Sequence, residues 1–255
     1  MPRESLKCGI LYLKSHFMQD DKVRMNNQSR AAVVTKLRSL PLFSDLGDDD
    51  IATLATMVSF RRVPKGAFIV TQNERGGSMY LLVSGRVKVS LASPDGKELA
   101  LNYLEAPGHF GEMSLVDSEP RSADVIAVSD VEVFALESKD LAAAIQVQPR
   151  LALSLIATLS RRLRQTIARL EDMAFHDATH RVMRVLLNVA TASYEQHGVP
   201  VIAGLTHYEI ATLAGTSRET ASRIISSLVK GGVLATKGRR IVVDLFQLRE
   251  LLETE

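Results

Sequence analysis

At Ser138 the hydrophobic period of this chain changes, and that change constrains the fold more than any other feature. Upstream, residues 58–138 are short β-branched runs cut by turn residues: VPKGAFIV, MYLLVSGRVKVSLAS, PDGKELALNYL and APGHFGE. Within Arg86–Leu91, Val87, Val89 and Leu91 alternate with Lys88 and Ser90, the two-residue repeat of a half-buried strand. Pro94-Asp95-Gly96 marks a tight turn between two such runs. Strands at this spacing predict a β-barrel or sandwich. Downstream the repeat is helical. Pro149 is suited to the first turn of a helix, and no breaker follows it until about Phe175.

Within that helix Leu159, Leu163, Thr166, Leu170 and Met173 are spaced 4-3-4-3, the seam of two helices packed along their length. Burial of the same stripe against the strands is the alternative. The segment THYEIATLAGTSRETASRIISSLVKGG reads as helix, tight turn at Gly215, helix, and a stop at Gly231-Gly232. Two strands around a Lys237-Gly238 turn follow it. Ahead of the strands, residues 31–58 read as short helices broken by Pro41 and Gly47. Residues 1–30 show no sustained periodicity, and Met25 reads as an alternative start. The chain thus divides into an extension (1–30), a β-barrel domain of jelly-roll type (31–138), a long dimerisation helix and hinge (139–175) and a C-terminal winged helix-turn-helix domain (176–255), an α+β architecture.

Composition excludes several classes. At 255 residues one or two domains with real cores are expected. The single cysteine, Cys8, cannot form an internal disulfide, a thiolate-held zinc site or an iron–sulfur cluster. That usage points to a reducing compartment, the cytoplasm. No apolar run approaches the ~18–20 residues of a membrane span. The six histidines (16, 109, 176, 180, 197 and 207) show no ligand pair, so neither metal nor haem is expected. No nucleophile–base pair is evident, and no enzymatic activity is expected. The 31 basic residues barely exceed the 29 acidic ones, so any nucleic-acid partner must be argued from local features.

One such feature is Phe110–Val125, FGEMSLVDSEPRSADV. It holds a glycine where backbone must approach something, a carboxylate, then an arginine followed by serine. Arginine presents a planar, permanently charged fork to a phosphate, and a carboxylate accepts hydrogen bonds from sugar hydroxyls. A plain Glu112–Arg121 salt bridge is the alternative. The stretch Lys65–Val125 resembles the cyclic-nucleotide-binding domain, with Gly66, Gly85, Gly96 and Gly111 at that family's turn positions and FGEMSLVDSEPRSA similar to its phosphate-binding cassette. The resemblance implies that Glu112 binds the ribose 2′-hydroxyl and that Arg121 and Ser122 bind the cyclic phosphate. The backbone near Gly111 and Met113, with Ser114, completes the pocket.

Thr166 sits on the apolar seam, where a threonine is tolerated if it bonds back to its own helix. Along its length the chain resembles the CRP/FNR family of bacterial regulators. In cAMP-responsive members a threonine following RRL reaches the adenine amino group; RRLRQT supplies Thr166, with Arg162 nearby. The next position, often polar in that family, is Ile167 here. The resemblance therefore implies cAMP as effector, bound between the β domain and the long helix. Cyclic di-GMP, whose phosphates and guanines would suit Arg161, Arg162, Arg164 and Arg169, is the alternative; ligand-independent DNA binding is another.

In TSRETASR, Thr216 or Ser217 caps the second helix, and Thr216 with Glu219 matches a capping box. Ala221, Ile225 and Leu228 form its buried stripe, leaving Arg218, Glu219, Ser222 and Arg223 outward near the N-terminus, the end that meets base edges in helix-turn-helix proteins. Arginine suits guanine O6/N7, and glutamate accepts from cytosine N4. The string is similar to the CRP recognition helix. The resemblance implies that Ser217, Arg218, Glu219, Ser222 and Arg223 read a TGTGA-like half-site of double-stranded DNA. Lys237, Arg239 and Arg240 would contact phosphates. It further implies a homodimer, recognition helices about 34 Å apart and RNA polymerase as a partner.

Overall fold

The computed structural model describes residues 27–93, 98–238 and 240–254. The expectations for Cys8, His16, the Pro94–Gly96 turn and Arg239 lie outside the described residues. The chain divides into two compact units: residues up to Leu91 with Asn102–Arg161, and Ala92–Leu101 with Arg162–Glu255.

The first unit opens with helix α1 (Asn27–Arg38), a short 3-10 turn at Pro41–Phe43 and α2 (Asp48–Met57). Asp48, Asp49 and Asp50 fill the first turn of α2, where carboxylates are favoured by the helix dipole. Eight strands follow: β1 (Val58–Val63), β2 (Phe68–Val70), β3 (Ser78–Ser84), β4 (Arg86–Ala92), β5 (Glu98–Glu105), β6 (Gly108–Phe110), β7 (Asp124–Ala127) and β8 (Val131–Glu137). Between β6 and β7 lies the four-residue helix α3 (Met113–Val116). The strands form two four-stranded sheets, ordered β1-β8-β3-β6 and β2-β7-β4-β5. Tyr80, Leu82, Val133 and Phe110 of the first meet Ile69, Val87 and Val125 of the second in one buried cluster. The expected β domain is therefore a sandwich of two sheets and not a closed barrel. Ser90, expected on the solvent side of β4, is buried, at 1% exposure. Gly85 joins β3 to β4 with φ +85°, and a Cβ there would overlap the Asp130 carbonyl.

Helices α4 (Ser138–Val147) and α5 (Arg150–Phe175) follow, so the expected helical period begins at Ser138. Leu151 and Leu155 of α5 are buried with Phe43, Leu54, Leu81 and Phe134 in the other apolar cluster of this unit. Beyond the second turn the helix changes character: Leu163, Ile167 and Leu170 are 61%, 48% and 66% exposed.

The second unit continues through α6 (Ala178–His197), β9 (Val201–Ala203), α7 (His207–Leu213), α8 (Arg218–Lys230), β10 (Leu234–Lys237), β11 (Arg240–Val243) and α9 (Leu245–Thr254). Its sheet is ordered β10-β11-β9. Val182, Leu186, Ile210, Ala221, Ile225 and Leu248 share one core, which fixes α8 against α6 and α7. The glycine stop of α8 is as expected: Gly232 takes φ +81°, and the Val233 N–H closes on the Leu228 carbonyl.

Candidate functional site: a nucleotide cassette and a DNA-reading helix

The cassette is built on the link from β6 through α3 to β7. Gly111 turns the chain with φ +81° and delivers Glu112 to the N-cap of α3. Both charged cassette residues are buried, Glu112 at 1% and Arg121 at 6% exposure. Arg121 Nη1 donates to the Gly111 carbonyl at 2.6 Å, and Nη2 donates to the Ser78 carbonyl at 2.5 Å. Backbone bonds hold the arginine in place from its other side: the Arg121 N–H donates to the Glu74 carbonyl, and the Asn73 N–H donates to that of Arg121. Burial lowers the pKa of the guanidinium, while Tyr80 and the Glu112 carboxylate act in the opposite direction. A charge this far from water is costly unless something compensates it.

Two glycines make room for that fork. A Cβ on Gly76 would overlap the Arg121 guanidinium, and one on Gly111 would come within 2.8 Å of Nη1. Ser114 is buried, while Met113 and Ser122 are exposed at the rim, where the Ser122 hydroxyl lies 3.7 Å from Met113 Sδ. The structure thus gathers Gly111, Glu112, Met113, Ser114, Arg121 and Ser122 on one loop. Gly76 and Ser78, which contribute to the same cradle, carried no motif of their own. On α5, Thr166 is exposed and its Oγ1 donates to the Arg162 carbonyl at 3.0 Å, the back-bond open to a threonine in a helix.

In the second unit α7 and α8 form the helix-turn-helix, with Gly215 at φ +61° between them. Ser217 caps α8, its side chain accepting from the Thr220 N–H. The capping box expected of Thr216 and Glu219 is found one helix earlier, between Thr206 and Glu209 of α7. Arg218, Glu219 and Arg223 are exposed along the first turns of α8, and Ile224 joins the expected buried stripe. Lys237 and Arg240 are exposed on the β10–β11 hairpin, which turns at Gly238.

Comparison with known proteins fits this geometry. Residues 60–148 match the cyclic nucleotide-binding domain and residues 180–251 match the Crp-like helix-turn-helix domain. The cyclic AMP receptor protein of Thermus thermophilus is 36% identical over 198 residues, 78% of this chain and 89% of that protein. A CRP-like cAMP-activated global transcriptional regulator of Mycobacterium tuberculosis is 30% identical over 205 residues, covering 80% and 92% of the two chains. The chain belongs to the CRP/FNR family. Among solved structures, the c-di-GMP-responsive global regulator CLP of Xanthomonas campestris superposes with a TM-score of 0.66 at 25% identity, covering 77% of this chain and 99% of CLP.

As a CRP-family protein the chain is a cyclic-nucleotide-binding, DNA-binding transcription regulator. Among the described residues no single helix is long and apolar enough to cross a membrane. Three features of the second unit were not anticipated. Ser222, expected to face outward, is half-buried, and its hydroxyl lies 3.0 Å from His207 Nδ1, which ties the recognition helix to the start of α7. Arg181 donates to the carbonyls of His176 and Ala214, both at 2.8 Å, and so clamps the α5–α6 corner to the helix-turn-helix turn. His176 and His180, among the histidines expected to show no ligand pair, stack with ring centroids 3.7 Å apart.

Proposed function

We propose that this CRP-family regulator is gated by cAMP, acts as a homodimer in the cytoplasm and reads a TGTGA-like palindrome. The observation that carries the nucleotide reading is the buried Arg121 beside buried Glu112. Its fork rests on two carbonyls that a cyclic phosphate would outcompete, because a bidentate charge-assisted pair is stronger than a bond to a neutral acceptor. Glu112 takes the ribose 2′-hydroxyl and Ser122 a phosphate oxygen. The base contact falls to Thr166. Its hydroxyl proton is committed to the Arg162 carbonyl, which leaves the oxygen as an acceptor for the adenine amino group. The names of the Thermus and Mycobacterium relatives support the same effector.

The exposed apolar stripe Leu163, Ile167, Leu170 and Met173 supports dimerisation along α5. Arg218, Glu219 and Arg223 would then read base edges, Ser217 would contact the backbone beside them, and Lys237, Arg239 and Arg240 would meet phosphates. RNA polymerase is the partner such a regulator would engage. A second reading keeps the fold and takes cyclic di-GMP. Ile167 in place of a polar residue and the arginines 161, 162, 164 and 169 favour it, as does the similarity to CLP. Calorimetry of the purified protein with each nucleotide decides between them. One cAMP per chain with no heat from cyclic di-GMP supports the first, and the reverse result replaces it with the second.

A further inference from the structure

Asp172, His176 and His180 bring one carboxylate and two imidazoles to the corner where α5 ends and α6 begins. Their potential ligand atoms all lie within 4.8 Å of one another. Asp172 is on the last turn of α5, His176 follows its final residue, and His180 is in the first turn of α6. The i, i+4, i+8 spacing would align them on one continuous helix. Here the chain breaks after Phe175, and Asp177 caps the new helix by accepting from the His180 N–H at 2.9 Å. The break folds the third residue back onto the first two.

We propose that this corner is a binding site for a divalent transition ion of the zinc class, held by Asp172, His176 and His180 with water in the remaining position. Two imidazoles and a carboxylate are a donor set that such ions select over magnesium or calcium, which prefer oxygen alone. Tetrahedral ligands at ordinary zinc distances stand about 3.4 Å apart; Asp172 Oδ1 and His176 Nδ1 are already 3.6 Å apart, and no separation in the cluster, all within 4.8 Å, has to close by more than about 1.4 Å. The freedom to do so is unequal. His180 is buried at 6% exposure and Asp172 is largely enclosed, while His176 is exposed, held by the ring stack and by its Nδ1 lying 3.6 Å from Asp172 Oδ1. Binding therefore trades the stack for coordination by turning one side chain.

The charges around the site moderate it. Arg184 Nε lies 3.5 Å from the Asp172 carboxylate, and Arg169, whose pKa is lowered by burial, also feels that carboxylate. Both cations oppose a doubly charged ion at the site. Three protein ligands among two guanidiniums suit micromolar affinity better than the tightness of a structural zinc finger. Because Arg181 bonds the His176 carbonyl and the carbonyls of Ala214 and Gly215, an ion that fixes His176 also stiffens the link to the helix-turn-helix turn.

The test uses untagged, full-length protein freed of metal by chelation and desalting. Titration with Co2+ should produce the visible bands of a tetrahedral site without a thiolate charge-transfer band, and Zn2+ calorimetry should saturate at one ion per chain. Zn2+ should raise the melting temperature by several degrees. His176→Ala, a change at an exposed side chain, and Asp172→Asn should each weaken binding at least tenfold while leaving the circular dichroism unchanged. If binding is absent at millimolar ion, survives both substitutions, or carries the thiolate band that would assign it to Cys8, the proposal is wrong.

Discussion

Arg121 concentrates the chemistry of the first unit in one side chain. Replacing it by alanine removes the fork proposed to hold the phosphate and strands the carbonyls of Gly111 and Ser78. Losing a charge-assisted contact of this kind costs about 3 kcal/mol, so nucleotide affinity measured by calorimetry should fall by roughly two orders of magnitude. Arg121→Lys should fail nearly as badly, because an ammonium keeps the charge and loses the fork. Gly76→Ala is the more telling variant. Gly76 is not among the residues with positive φ, so its backbone accepts alanine, yet the added methyl overlaps the guanidinium. Affinity should drop at least tenfold with the melting temperature little changed; wild-type affinity would show that the arginine does not bind in the position seen here. Glu112 and Arg121 stood out as candidates in the sequence because their residue types suit a sugar and a phosphate, and both are buried in the cassette. Gly76 and Ser78 did not, since a glycine and a backbone carbonyl offer no signal until the fold brings them beside the arginine.

At the scale of single elements, helix ends decide how the DNA-reading unit is set. Ser217 satisfies an otherwise unpaired N–H at the start of α8, and Ser217→Ala should cost about 1 kcal/mol of stability in denaturant unfolding. Asp177 does the same for α6. The backbone bond from His180 lowers its pKa, with Thr179 and Arg181 acting in the same direction. A depressed carboxylate stabilises the fold above its unfolded value, about 3.9, and loses that contribution as the pH falls through the lower folded value. Asp177→Asn keeps a capping group, so the difference in stability between wild type and variant should shrink between pH 5 and pH 3. A difference that is flat across this window would contradict the assignment. The period change at Ser138, the glycine stop of α8 and the Gly215 turn could all be read beforehand, because each is a local rule. The capping box could not be placed: Thr206-x-x-Glu209 and Thr216-x-x-Glu219 satisfy one pattern, and only packing chooses between them. The Ser222–His207 bond and the Arg181 clamp escaped for the same reason, since they join residues 15 and 33 positions apart.

For the molecule as a whole, the modest net charge of +2 acquires a meaning. From His176 onward nine Lys or Arg stand against eight Asp or Glu, too few for a protein held by phosphate electrostatics. Non-specific binding should be weak and only shallowly dependent on salt, with affinity carried by Arg218, Glu219 and Arg223 at a cognate site. Reading a palindrome also requires two copies. Leu163 and Leu170 are exposed in a single chain, and Leu163→Glu with Leu170→Glu should convert a dimer into a monomer in sedimentation while the far-ultraviolet spectrum stays the same. The central claim is that a nucleotide at Arg121 and Glu112 controls DNA recognition by α8, a coupling of two separate equilibria. Its most direct test is the affinity for a TGTGA-containing palindrome, measured by fluorescence anisotropy with and without saturating cAMP. Affinity should rise at least tenfold with cAMP in the wild type and not at all in Arg121→Ala; equal affinity of the wild type in both conditions would contradict the account.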